Sequence, residues 1–144
     1  MDFEDFLRGV DIVNLKAKDR WQAIDELIDG LVAAGKIAVE DGDAIVHAVR
    51  TRERAMSTGI GYGIAIPHAS TDLISEVVGV LGRSKTGIQF EALDGKSVHV
   101  VLLFLVPAGE FQKHMHTLAH IAKFIHRKDF RDRLRGGDEN DDGG

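Results

Sequence analysis

The residues best placed to do chemistry lie between Arg52 and Ala69, in the stretch RERAMSTGIGYGIAIPHA. Histidine changes charge near neutral pH, and its neutral imidazole is a nucleophile. His68 follows Pro67, whose ring fixes one backbone angle and holds Ile66 extended. The histidine is therefore expected on a rigid shoulder at a strand end. Gly59, Gly61 and Gly63 let the backbone turn sharply or approach a ligand closely. Arg52 supplies a cation upstream, and small Ala69 leaves room beside the ring. A lone Pro-His is usually an ordinary loop histidine. This setting instead has the parts needed to bring an anionic group onto an imidazole.

Other candidates weigh less. The glycine series superficially resembles a nucleotide loop, but such a loop follows a strand and opens a helix. Here it follows a helix and opens a strand, and no Lys-Ser/Thr pair closes it. His116 and His120 have the i, i+4 spacing of a zinc pair, yet Thr-Leu-Ala stands between them. The glutamate of a metalloprotease helix is missing, and no third ligand is obvious. A polar helix face is the plainer reading, and it extends to His126. His47 falls mid-helix and His99 within an apolar strand, so both read as structural. No metal or cofactor is called for.

The elements that must position these residues follow from periodicity. Phe3, Phe6 and Leu7 suggest a short amphipathic turn, and Val10 to Leu15 a first strand. Asp19 and Gln22 form a plausible capping box, followed by Ile24, Leu27, Ile28, Leu31 and Val32 at helical spacing, with Gly35 as the stop. A second helix should start near Glu40 or Asp41, bury Ile45, Ala48 and Val49, and end near Arg52 and Arg54. Ser57 to Gly63 reads as a loop, Ile64 to Ile66 as a strand, and the segment after His68 as a loop or short turn. Val77 to Arg83 is a strand whose glycines suggest tight packing or a bulge. Ile88 and Phe90 flank a further extended piece, and Asp94-Gly95 is a hairpin-type turn. Val98 to Val106 is nearly all apolar, as a central strand covered on both faces should be. A third helix is expected over 110–126 and one more helical turn around Phe130 and Leu134. From Gly136 the tail GGDENDDGG has nothing to bury and should be disordered. The sum is a three-layer α/β domain, residues 1–135, with a central mixed sheet flanked by helices.

Composition narrows the class. The chain has 144 residues, no cysteine and a formal charge of −5, and Asp138, Glu139, Asp141 and Asp142 in the tail supply four of the negatives. The body is thus nearly neutral, without the clustered basic face of a nucleic-acid binder. The N-terminus lacks the pattern of a signal peptide, and the longest apolar run is too short to span a membrane. A cytoplasmic protein is expected, with no membrane insertion.

Three segments, Arg52-Glu53, Ser57-Thr58-Gly59-Ile60-Gly61 and Gly63-Ile64-Ala65-Ile66-Pro67-His68, together resemble the signature of one family. Gly87-Ile88, Phe90 and Asp94, and then Val106-Pro107-Ala108 with His114-Met115-His116-Thr117-Leu118, extend the likeness over about residues 3–134. The chain resembles the type-2 EIIA domains of the phosphoenolpyruvate-dependent phosphotransferase system, the fructose/mannitol/nitrogen-regulatory class. The STGIG and H-x-H-T-L wording is closest to the nitrogen-regulatory branch.

The resemblance implies that His68 accepts a phosphoryl group on Nε2 from an HPr-type phosphocarrier. It also implies that His114 lies beside it and helps hold the phosphate, with Arg52 nearby. Phosphoryl transfer asks mostly for positioning and charge stabilisation. The Thr58 hydroxyl and the loop N–H groups at Gly59 and Gly61 are expected to share that charge with Arg52. A regulatory phosphocarrier, binding a target protein according to its phosphorylation, is the leading expectation. A sugar-transport component that passes the group to an EIIB domain is the alternative, and an unphosphorylated binding module a distant one. Two departures stand out: Tyr62 occupies a position where the nitrogen branch often has Asn, which would put an aromatic beside the site. The family's last helix also gives way here to the acidic tail.

Overall fold

Asp19 opens the first helix because its carboxylate accepts the Gln22 N–H at 2.9 Å, while the Gln22 side chain accepts the Lys18 N–H. A computed structural model describes residues 9–110, 112, 119, 123 and 127–135. In chain order its elements are β1 (Asp11–Asn14), α1 (Arg20–Ala33), a 3-10 turn (Val39–Asp41), α2 (Gly42–Ala55), β2 (Gly59–Gly61), β3 (Ile64–Ala65), β4 (His68–Thr71), β5 (Val78–Ile88), β6 (Val98–Pro107) and α3 (Lys128–Arg135). Helix α1 ends in a Schellman motif: Gly35, at φ 76°, donates to Val32, and Lys36 donates to Leu31. Its buried stripe is Ala23, Ile24, Leu27, Ile28 and Leu31, with Val32 half-buried beside it. Arg50 of α2 grips Asp25 of α1 through Nε and Nη2 and so pins the two helices together.

The six strands form one mixed sheet in the order β1-β5-β6-β3-β2, with β4 also on β6. Strand β5 runs parallel to β1 and antiparallel to β6, while β3 and β4 both run parallel to β6. Alternation along β6 separates two cores. Val101, Leu103 and Leu105 face the core under α1 and α2. Val100 and Leu102 face a smaller one with Ile64, Ile66, Leu81 and Leu134 of α3. Helices on both faces make this the expected three-layer α/β arrangement. Gly82 explains the glycines of β5: a Cβ there would come within 2.6 Å of Leu15 Cδ1, so the first core closes only over a bare backbone.

Three expectations change. The segment after His68 is strand β4, held by β6 in register His68–Phe104, rather than a loop. Ser57–Gly63 is not all loop, since Gly59–Gly61 pairs with β3 and leaves Tyr62 and Gly63 as a two-residue hairpin turn. Both turn residues have positive φ, 58° and 78°, as a type I′ turn requires. The extended piece expected around Ile88 is the end of a longer β5. Ala92 to Gly95 is a turn, closed by the Gly95 N–H on the Ala92 carbonyl, but it sits within the longer 89–97 connection. The turn expected at Phe3–Leu7 and the tail from Gly136 lie outside the described residues, and so does most of 110–126.

Candidate functional site

Strands β3 and β4 lie end to end along one edge of β6, and the join between them makes the site. Proline carries no N–H and interrupts the ladder at Ile66-Pro67. The Ile66 N–H turns to the Thr58 carbonyl, and the Pro67 carbonyl accepts from Phe104. The Ile66 carbonyl is thereby left to meet His68 Nδ1 at 2.9 Å. A carbonyl only accepts, so Nδ1 carries the hydrogen and Nε2 keeps the lone pair of the neutral ring.

His68 is buried and stacks on Phe104, centroids 5.4 Å apart and planes 16° from parallel. Burial holds its pKa below the usual 6.5, because the charged imidazolium loses hydration. The Ile66 carbonyl acts in the opposite direction, the Arg52 charge adds to the lowering, and Glu53 raises it. The neutral, nucleophilic form is therefore the resting one at pH 7.

Arg52 and His68 line a common hollow of about 370 Å³, together with Ala48, Thr51, Ala69 and Ser70. Arg52 stands in the last turn of α2, where its Nη1 donates to the Met56 carbonyl at 3.1 Å. The next residue, Glu53, is fully buried on the same helix stripe as Ile45 and Val49. Its carboxylate receives the Thr58 N–H at 3.0 Å, the Thr58 hydroxyl at 2.6 Å and Arg20 Nη1 at 3.2 Å. Ser57 closes the same loop from the other side, donating to the Phe90 carbonyl and accepting the Gly59 N–H.

These contacts revise two expected roles. The Thr58 hydroxyl hydrogen is held by Glu53 and the Gly59 N–H by Ser57, so both residues fix the loop instead of reaching into the hollow. Gly61 is not gathered in either. It pairs with Ile64, which lies opposite Val100, whereas His68 lies opposite Phe104. Four residues of strand separate the two rows, about 13 Å. Tyr62 goes with Gly61, so its ring is not beside His68 but at the hairpin tip, with the Arg131 guanidinium 4.8 Å from its centroid. Its φ of 58° explains the aromatic's conspicuousness: that conformation suits Asn better than Tyr.

Sequence reasoning gave Glu53 no role. The signal was available, because a carboxylate on the Ile45–Val49 stripe needs donors around it. His114, His116, His120 and His126 lie outside the described residues. Of the two remaining histidines, His99 directs Nδ1 at the Ser84 carbonyl, 3.0 Å away, and His47 lines none of these contacts.

The family model for the phosphoenolpyruvate-dependent sugar phosphotransferase system EIIA 2 matches residues 8–142. The chain belongs to this type-2 EIIA family. It is 35% identical over 129 residues to the fructose-specific EIIABC component of Bacillus subtilis, covering 90% of this chain but 20% of that protein. It is 32% identical over 121 residues to a nitrogen regulatory protein of Bradyrhizobium diazoefficiens, covering 84% of this chain and 77% of the relative. Its fold matches the crystal structure of nitrogen regulatory protein IIA-Ntr from Neisseria meningitidis with a TM-score of 0.75 at 24% identity, over 86% and 83% of the two chains. Sugar-specific and nitrogen-regulatory EIIA proteins are thus both among its relatives. Among the described residues no helix is long and apolar enough to cross a membrane.

Proposed function

We propose that this type-2 EIIA domain is a phosphohistidine carrier of the cytoplasm, with His68 Nε2 as the acceptor and an HPr-type phosphocarrier as the donor. The observation that carries the reading is the Nδ1 contact with the Ile66 carbonyl, which leaves the lone pair on Nε2. In the transfer, that lone pair attacks the phosphorus of the donor's phosphohistidine. A new P–N bond forms as the donor's P–N bond breaks, and the leaving imidazole keeps the electron pair. The hydrogen stays on Nδ1, donated to the Ile66 carbonyl, while the ring takes on positive character. Arg52, in the same hollow, balances the phosphoryl charge. His114 is assigned to the phosphate from its place in the family motif.

The acceptor downstream is a regulated target protein, in keeping with the STGIG and H-x-H-T-L wording. The EIIABC relative supports the alternative acceptor, an EIIB domain. The test combines the full chain with phosphoenolpyruvate, Enzyme I and an HPr-type carrier. An acid-labile, base-stable phosphate should appear on wild type and vanish in His68→Ala. Labelling that survives in His68→Ala refutes the assignment. His114→Ala should slow transfer or shorten the phosphate's lifetime, and unchanged kinetics would remove it from the site. Rapid discharge onto an offered EIIB domain would replace the regulatory reading with the transport one.

A further inference from the structure

A second hollow, of about 1100 Å³, lies where β1 ends beside the middle of β5. Lys16, Lys18, Arg83 and Lys85 line it, with Ser84 and Thr86 among its polar groups, and among the described residues no Asp or Glu does. Among the described residues none of these four cations makes an ion pair. Of the acids near β1 in sequence, Asp19 accepts the Gln22 N–H and Glu26 the backbone N–H groups of Lys16 and Ala17. Arg83 lies opposite Val100 and His68 opposite Phe104, so the hollow is displaced by about 13 Å of strand from the histidine and does not belong to its site. In a chain of net charge −5 this concentration of positive charge has no internal complement in the described structure.

The geometry also says where a complement comes from. Arg83 Nε donates to the carbonyl of Leu134 at 3.1 Å, so the end of α3 is fastened to the rim of the hollow. The chain continues from there as Arg-Gly-Gly-Asp-Glu-Asn-Asp-Asp-Gly-Gly. Asp138 is four residues beyond Leu134 and Asp142 eight. An extended chain covers those intervals in about 13 to 26 Å. Two glycines precede the first acid and permit a reversal of direction. Tethering at this distance gives a local concentration on the order of millimolar, which makes even weak ion pairing effective.

We propose that the acidic segment Asp138–Asp142 of the same chain occupies this basic hollow, with its four carboxylates set against Lys16, Lys18, Arg83 and Lys85. The occupant is held by charge and tether and needs no regular structure. It masks this cationic surface, so an acidic partner gains it only by displacing the tail.

The chain has no cysteine, so a nitroxide on Gly144→Cys labels it at one point. Amide signals of residues 14–18 and 83–86 should be broadened at low salt. The broadening should fade at about 0.5 M salt, where the screening length is a few Å. It should also fade when Asp138, Glu139, Asp141 and Asp142 are replaced together by Asn or Gln. Lys16→Glu combined with Lys85→Glu should release the tail while the remaining amide spectrum stays folded. Broadening spread evenly over the surface, or unchanged by neutralising the tail, overturns the proposal. So does broadening of unlabelled isotopic chains mixed with labelled ones, since the tail of a second copy would then be the occupant.

Discussion

Replacing Glu53 by Gln tests the view that one buried carboxylate holds the loop on which the histidine rests. The carboxylate accepts three donors: the Thr58 N–H, the Thr58 hydroxyl and Arg20 Nη1. A glutamine keeps one acceptor oxygen and turns an NH₂ towards groups that themselves donate. At least one hydrogen bond to a charged group is lost, about 1.5–3 kcal/mol. Removing one partner of a fully buried ion pair costs about 3–5 kcal/mol. Arg20 is 15% exposed and keeps Glu91 at 3.7 Å, so the loss falls towards the lower end of that range or under it. About 2–4 kcal/mol is expected, measured by urea unfolding. For a domain of this size that is a fall in Tm of about 6–16 °C. The Ile66 N–H rests on the Thr58 carbonyl, so transfer to His68 should slow as well. A Thr58→Val, Glu53→Gln double-mutant cycle should give a coupling of about 1 kcal/mol or more. A loss under about 1 kcal/mol, or independent effects of the two substitutions, would refute the reasoning.

Three further outcomes are expected. Burial lowers the pKa of His68 in the folded protein, so below the unfolded value the unfolded chain binds the proton more readily. His68 therefore contributes stability that is present above pH 6.5 and lost as the pH falls towards its folded pKa. His68→Gln should flatten the stability profile in that acid window, and NMR titration of the wild-type ring should show a midpoint below 6.5. Gly82→Ala should cost about 1–3 kcal/mol in chemical unfolding, because the added methyl meets Leu15 and Leu27 at under 3.0 Å. Tyr62→Asn relieves a left-handed aromatic and removes its contact with Arg131, so stability should change by less than about 1 kcal/mol. Its rate of phosphorylation should match wild type, and a large change would return Tyr62 to the site.

The parts of this fold that were legible in the sequence are those ruled by short-range chemistry. Asp19 with Gln22, Gly35 and the apolar stripe of α1 each state a cap, a stop or a buried face within a few residues. The long apolar run of β6 likewise states a strand covered on both sides. What escaped depended on partners distant in the chain. His68–Thr71 is polar and short, and becomes a strand only because β6 offers an edge beside it. The reach of Gly61 and Tyr62 was misjudged because neighbours in the motif diverge in space once the hairpin turns. Glu53 and Thr58 are five residues apart, yet their pairing follows from the burial of both, which no local preference expresses.

The break at Ile66-Pro67 has a consequence for how the site tolerates change. In the proposed transfer, the group that dictates which ring nitrogen reacts is two residues from the ring, on the same stretch of backbone. The readiness of that nitrogen, by contrast, is a collective property of Phe104, Arg52 and the core that dries the ring. Regiochemistry is thus insulated from most of the protein, while reactivity is not. Drift in the core, or a partner pressing on the sheet, would retune the lifetime of a modified histidine long before it altered which atom is modified.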